Sequence, residues 1–266
     1  MLSRNELHFE RRSILTAAQL RAIEKFPREI LRLKYIDFGN GIISGVDFIN
    51  RDGEVWTTEG IVKIGNFFYC AEEINLSALA KNLQGRIKYQ FALTEPKRTA
   101  AENVTTEKIF VEVKRLEKNS TALEFGRFTS GLGIKLPELD AENLFEKFTS
   151  ASRLNLLNVP YSTRGGTTFH PYIFRAILKK LELKENPSPA DTALMIHLAN
   201  FGIAAIPALK IYVQSNDVQW RGDSREDIFK SILDAINAEW KIPLPEKFSV
   251  KTENSTATSD RTGFFI

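Results

Sequence analysis

One cysteine, three histidines and two methionines are spread over 266 residues, and that shortage removes whole classes of chemistry. A lone thiol, Cys70, can make no intrachain disulfide framework and no multi-cysteine metal site. It fits synthesis in a reducing compartment. His8, His170 and His197 fall in three different segments, without the i, i+4 spacing of zinc ligands on a helix. Neither a metal nor a cofactor is expected. No apolar run approaches the ~20 residues of a membrane-spanning helix, so no membrane partner is expected either. The opening, "MLSRNELHFERRSILTAAQL", sets charges on both sides of short apolar patches and does not read as a secretory signal.

Catalytic groupings are equally sparse. "STRGGTTFHP" (162–171) offers hydroxyls, Arg164 and a Gly-Gly step before a helix start, and free N–H groups there could hold an anion. It lacks the Lys-Ser/Thr ending of a phosphate loop, so structural capping of the next helix is the simpler reading. Ser162 and His170 have no nucleophile elbow around them. Cys70 follows "NFFY" in a strand-like run and reads as an inert, buried thiol. The chain is not expected to be an enzyme.

What is present is a globular composition, 43% apolar and 26% charged, on a chain long enough to bury a sizeable core. The net charge of +3 is small, but residues 1–34 hold eight Lys/Arg against four Asp/Glu. A basic arm on a near-neutral body suits electrostatic docking or, more plainly, a solvated helix face. Use of that arm by a nucleic-acid-associated accessory protein is the alternative function. The basic-aromatic runs "GRIKYQF" and "ALEFGRF" do little for it, because any half-buried strand alternates in that way.

Within the arm, Leu20, Ile23, Phe26, Ile30 and Leu33 recur at steps of three and four, the spacing of one helical face. Pro27 is expected to kink that helix or to open a second one. From Tyr35 the period changes to two. "GIISGVDFI", "EVWTTEGIVKI" and "FFYCAEEINL" are joined by Gly/Asn/Asp turns, as in an antiparallel meander. Gly41, Gly45, Gly53 and Gly65 serve its backbone geometry, with Gly53 and Gly65 at positive φ. "GRIKYQFALTEP", "KIFVEVKRLEK" and "ALEFGRFTSGLGI" continue the strands, and "KRTAAENVTT" reads as a polar loop. After Leu136 the stripes turn helical. "TTFHPYIFRAILKKLELKE" takes Thr168 as N-cap and Pro171 in the first turn. "NPSPADTALMIHLANFG", "IPALKIYVQS" and "SREDIFKSILDAINAEW" follow.

The expected fold is α+β, in four parts. A basic helical arm spans 1–34, and a small antiparallel β-sandwich or open barrel spans 35–135. An all-α domain over 136–245 and a polar tail over 246–266 complete it.

"GNGIISGVDFI" followed by "EGIVKIGNFFYCAEE" resembles a pattern in tail and baseplate proteins of phages and phage-derived contractile particles. "NVPYSTRGGTTFHPYIFRAILKKL" is similar to a poorly characterised family encoded in bacterial tail operons. The resemblance spans most of residues 28–212 and brings no catalytic residue with it. It implies a structural baseplate component, made in the bacterial cytoplasm and assembled into a virion or phage-like tail particle. Its partners would be other tail or baseplate subunits or further copies of itself. The candidate interface is Leu20, Ile23, Phe26, Ile30 and Leu33 on the arm, with Arg164 and Phe169 from the second motif.

Overall fold

The computed structural model describes residues 16–83, 85–101, 104–117, 122–139 and 143–238. The first fifteen residues of the arm, His8 among them, and the 246–266 tail lie outside these. The fold is α+β: an N-terminal helix, several small sheets, then a helical region.

The chain opens with α1 (Ala17–Lys34) and enters β1 (Gly41–Gly45), β2 (Phe48–Arg51), β3 (Glu54–Thr57), β4 (Gly60–Ile64), β5 (Phe67–Ala71) and β6 (Ile74–Asn75). A short α2 (Leu76–Ala80) leads to β7 (Lys88–Leu93), β8 (Lys97–Ala101), β9 (Val104–Lys108), β10 (Val111–Arg115) and β11 (Glu124–Thr129). Then come α3 (Leu144–Thr149), the hairpin β12 (Tyr161–Thr163) and β13 (Gly166–Thr168), and α4 (Pro171–Glu182), α5 (Pro189–Phe201), α6 (Ile206–Ser215) and α7 (Arg225–Asn237).

Turn chemistry sets the hairpins. Asp52 and Gly53 both have positive φ, 54° and 80°, the type I′ arrangement that a two-residue Asp-Gly loop favours. Gly65, at φ 59°, opens the two-residue loop between the paired Ile64 and Phe67, as a type II′ turn requires.

Among the described residues the strands form four small sheets. The largest has the order β13-β12-β1-β4-β5; the others are β10-β7-β11, β2-β3-β6 and the β8-β9 pair. Two of these pairings correct the sequence reading. "KRTAAENVTT" is no loop, because Lys97 faces Lys108 and the ladder runs to Ala101 opposite Val104. Residues 161–168, inside the stretch expected to be all helical, form a hairpin whose β12 pairs in parallel with β1, Ile42 opposite Tyr161. Thr163 and Thr168 are β-branched and, like Ser162, buried there, which suits a pleated inner strand.

Two helix details differ as well. α1 runs through Pro27 as one helix. The missing N–H leaves a carbonyl without its helical partner, and on so exposed a helix water can serve it. At α4 the N-cap is His170, not Thr168, with Pro171 in the first turn as expected; the Thr168 hydroxyl instead donates to the Ala204 carbonyl.

One hydrophobic core joins the strand half to the helical half. It runs from Ile42, Phe48 and Val62 through Phe148 and Phe169 to Ile177, Leu209 and Phe229. Phe229 stacks edge-on against both Phe148 and Phe169, at 5.6 and 6.0 Å, the geometry aromatic quadrupoles prefer.

Candidate assembly surface

α1 is well capped and yet buries none of its residues. Thr16 caps it through a reciprocal box with Gln19: the Gln19 N–H donates to the Thr16 hydroxyl at 3.3 Å, and the Thr16 N–H to Gln19 Oε1 at 2.9 Å. Arg32 and Lys34 in the last turn suit the helix dipole. No residue of this 18-residue helix is buried. Its stripe of Leu20, Ile23, Phe26, Ile30 and Leu33 is 45–62% exposed. On its flanks Arg28 pairs with Glu24 at 3.0 Å and Arg32 with Glu29 at 3.4 Å, both in solvent, where such pairs contribute little.

The arm leaves the body at a tied joint. The Gly165 N–H donates to the Asp37 carbonyl at 2.7 Å, and the Gly39 N–H reaches the Thr163 and Gly166 carbonyls. Tyr35 packs on Phe38 at 5.0 Å and on Phe68 at 6.0 Å. Ile36, just after the helix, and Phe67, on the β4–β5 hairpin, are also exposed.

The other two residues of the expected interface part company. Arg164 is exposed at the β12–β13 turn and its backbone bridges to Phe38, which places it at the base of the arm. Phe169 is wholly buried among Phe174, Phe229 and the Arg225 guanidinium. Its side chain belongs to the core and presents nothing to a partner.

Among the described residues, the histidines and Cys70 lie apart. Among the described residues no group of three or more His, Cys, Asp or Glu is placed to hold a metal. Cys70, expected to be buried, is exposed, on β5 at the edge of its sheet. His170 is fully buried. Its Nδ1 accepts from the Tyr172 N–H at 3.1 Å, so the proton sits on Nε2, which donates to the Val46 carbonyl at 3.1 Å. Burial pushes its pKa down to about 3, against the favourable Val46 bond; the ring is neutral and structural. Glu124 is raised by burial, which outweighs Arg127 beside it. A groove of about 490 Å³ beside β5 holds Glu107, already taken by the Tyr69 hydroxyl and Arg98, each at 3.0 Å.

Asp191 anchors the helical region. It accepts from Lys184 Nζ at 2.7 Å, the Ser188 N–H at 2.8 Å and the Tyr212 hydroxyl at 2.7 Å. Burial alone would raise its pKa, but these partners hold it below the usual carboxylate range. Tyr212 is pushed far up by burial and by Asp191.

Sequence reasoning missed a second apolar surface. Ile196, Phe201 and Ile211 are 58%, 69% and 65% exposed. The signal was there: Asp191 is the only charge between residues 186 and 209, and it is buried.

No family model matches the chain, and no curated protein does. Among solved structures the chain is similar to a chain in the cryo-electron-microscopy structure of the type VI secretion system TssK-TssF-TssG baseplate subcomplex. The two share 11% identity over 88% of this chain and 98% of that one, with a TM-score of 0.35. That neighbour belongs to a baseplate, the class of assembly the sequence motifs resemble; at such a TM-score the likeness assigns no role to this chain.

Proposed function

We propose that the protein is a non-enzymatic structural subunit of a phage or phage-like contractile tail, acting in the baseplate by binding other subunits. The observation that carries the reading is α1: a capped, basic helix held off the body with its whole apolar stripe in solvent. An isolated helix of this length is marginal in water and is stabilised when its apolar face packs against another surface. Covering the exposed half of five large apolar side chains contributes about 4–7 kcal/mol before ordering costs, enough to drive assembly. The sequence motifs shared with tail and baseplate proteins supply the kind of partner.

Exposed Arg21, Lys25, Arg28 and Arg32 on the same helix support the second reading, nucleic-acid association through the basic arm. The two separate cleanly. Assembly through the stripe is lost on Ile23→Asp and survives moderate salt, whereas binding through phosphate contacts falls steeply with salt and survives Ile23→Asp. Co-purification of tail subunits with the tagged chain at low and at moderate salt, with and without that substitution, decides between them.

A further inference from the structure

Among the described residues β5 ends its sheet, and hairpin geometry tells which of its backbone groups face outward. Ile64 and Phe67 flank the two-residue loop and lie opposite each other. Such a pair exchanges both of its backbone hydrogen bonds, and the exchange recurs at every second pair along the ladder. Phe67, Tyr69 and Ala71 therefore direct their N–H and C=O groups at β4. Those of Phe68 and Cys70 point away from it, and among the described residues they meet no partner. Two donors and two acceptors in a row are a template for one more strand.

The space beside them is a cleft of about 490 Å³, the size of a ligand pocket. Val111, at the start of β10, lines it as well, so the edge strands of two sheets border it. Val62, Leu93 and Phe125 add apolar lining. The charged groups around it are Glu72, Glu73 and Glu107, against Lys108. Glu73 is paired with Arg51 and Glu107 with Arg98. Glu72 is exposed, and among the described residues no cation is paired with it.

We propose that this cleft takes an extended segment of a partner protein, which adds to β5 as a strand and carries apolar side chains for the cleft and a basic one for Glu72. A polypeptide backbone matches the outward row on β5 bond for bond, as in other cases of strand addition. The lone carboxylate of Glu72 supplies the preference for a cation. A second copy is the poorer occupant, because it would bring the same carboxylates to the same edge. The proposal is independent of what α1 binds.

The test uses the full chain and a seven-residue peptide, acetylated and amidated, in which Val alternates with Thr and the central Thr is replaced by Lys. On binding, hydrogen exchange at the Phe68 and Cys70 amides slows at least about tenfold. Two further peptides carry N-methyl groups, one on the Val residues and one on the others. In an added strand only one of these sets faces β5, so one methylated peptide binds like the parent and the other binds at least about tenfold more weakly. Glu72→Lys weakens binding of the Lys peptide severalfold and leaves that of an all-Val/Thr peptide unchanged. No binding at millimolar peptide overturns the proposal, as do equal effects of the two methylations or unaltered exchange at the two amides. Exchange there that slows with protein concentration, without peptide, makes a second copy the occupant and also overturns it.

Discussion

His170 Nε2 lies 3.1 Å from the Val46 carbonyl oxygen, and this bond ties the first turn of α4 to the point where the β-meander bends. Val46 is a buried, β-branched residue at φ 54°, a costly conformation. It persists because its N–H is bonded to the Glu59 carbonyl at 3.0 Å and its carbonyl to His170.

Burial of the neutral His170 ring, which the Val46 bond only partly offsets, makes the protein acid-labile. His170 has a pKa near 3 when folded against an ordinary value of 6.5, so below pH 6.5 the unfolded chain binds a proton that the folded chain refuses. Stability is therefore full above about pH 6.5 and falls progressively down to about pH 3, by up to ~1.4 kcal/mol per unit. Between pH 7.5 and 5 the loss is about 2 kcal/mol. His170→Asn keeps a cap acceptor and removes the titration, so its urea midpoint varies less over that interval. An equal pH dependence in both proteins would show that His170 is not responsible.

The two hairpin glycines do different work from their neighbours. A Cβ at Gly53 or Gly65 would meet nothing within 4 Å, so any cost of substitution is conformational. Gly53→Val and Gly65→Val should each cost about 1–3 kcal/mol, read as a lower unfolding midpoint. At Gly45 the same Cβ would run into the Glu59 carbonyl oxygen, and Gly45→Val should be worse than either.

Removing the Asp191 carboxylate strands Lys184, Tyr212 and the Ser188 N–H together. Asp191→Ala should cost about 3–5 kcal/mol. The lower end is expected if Lys184, 15% exposed at its side chain, swings into water. Equilibrium denaturation measures it; a change under 1 kcal/mol would mean that Asp191 does not hold α5 and α6 together.

The hairpins and helices could be read from the sequence because each has a local cause: Asp-Gly and Gly-Asn turns, apolar stripes, Pro171 at a helix start. The α1 stripe was legible for the same reason. What escaped depends on distant partners. β12 became a strand because β1, far earlier in the chain, pairs its Ile42 with Tyr161. Phe169 left the candidate interface because the core closes over it. Cys70 is exposed, on a strand that among the described residues ends its sheet. None of these partners is visible in a local window.

The most direct test of the assembly role is co-purification with Ile23→Asp and Phe26→Asp together, made in the native cells beside the unaltered chain. Both side chains are exposed, so the unfolding free energy of the isolated protein should change by less than about 0.5 kcal/mol. The unaltered chain should bring down tail subunits identified by mass spectrometry, and the double variant should lose them. A double variant that keeps every partner at full yield would contradict the role assigned to α1.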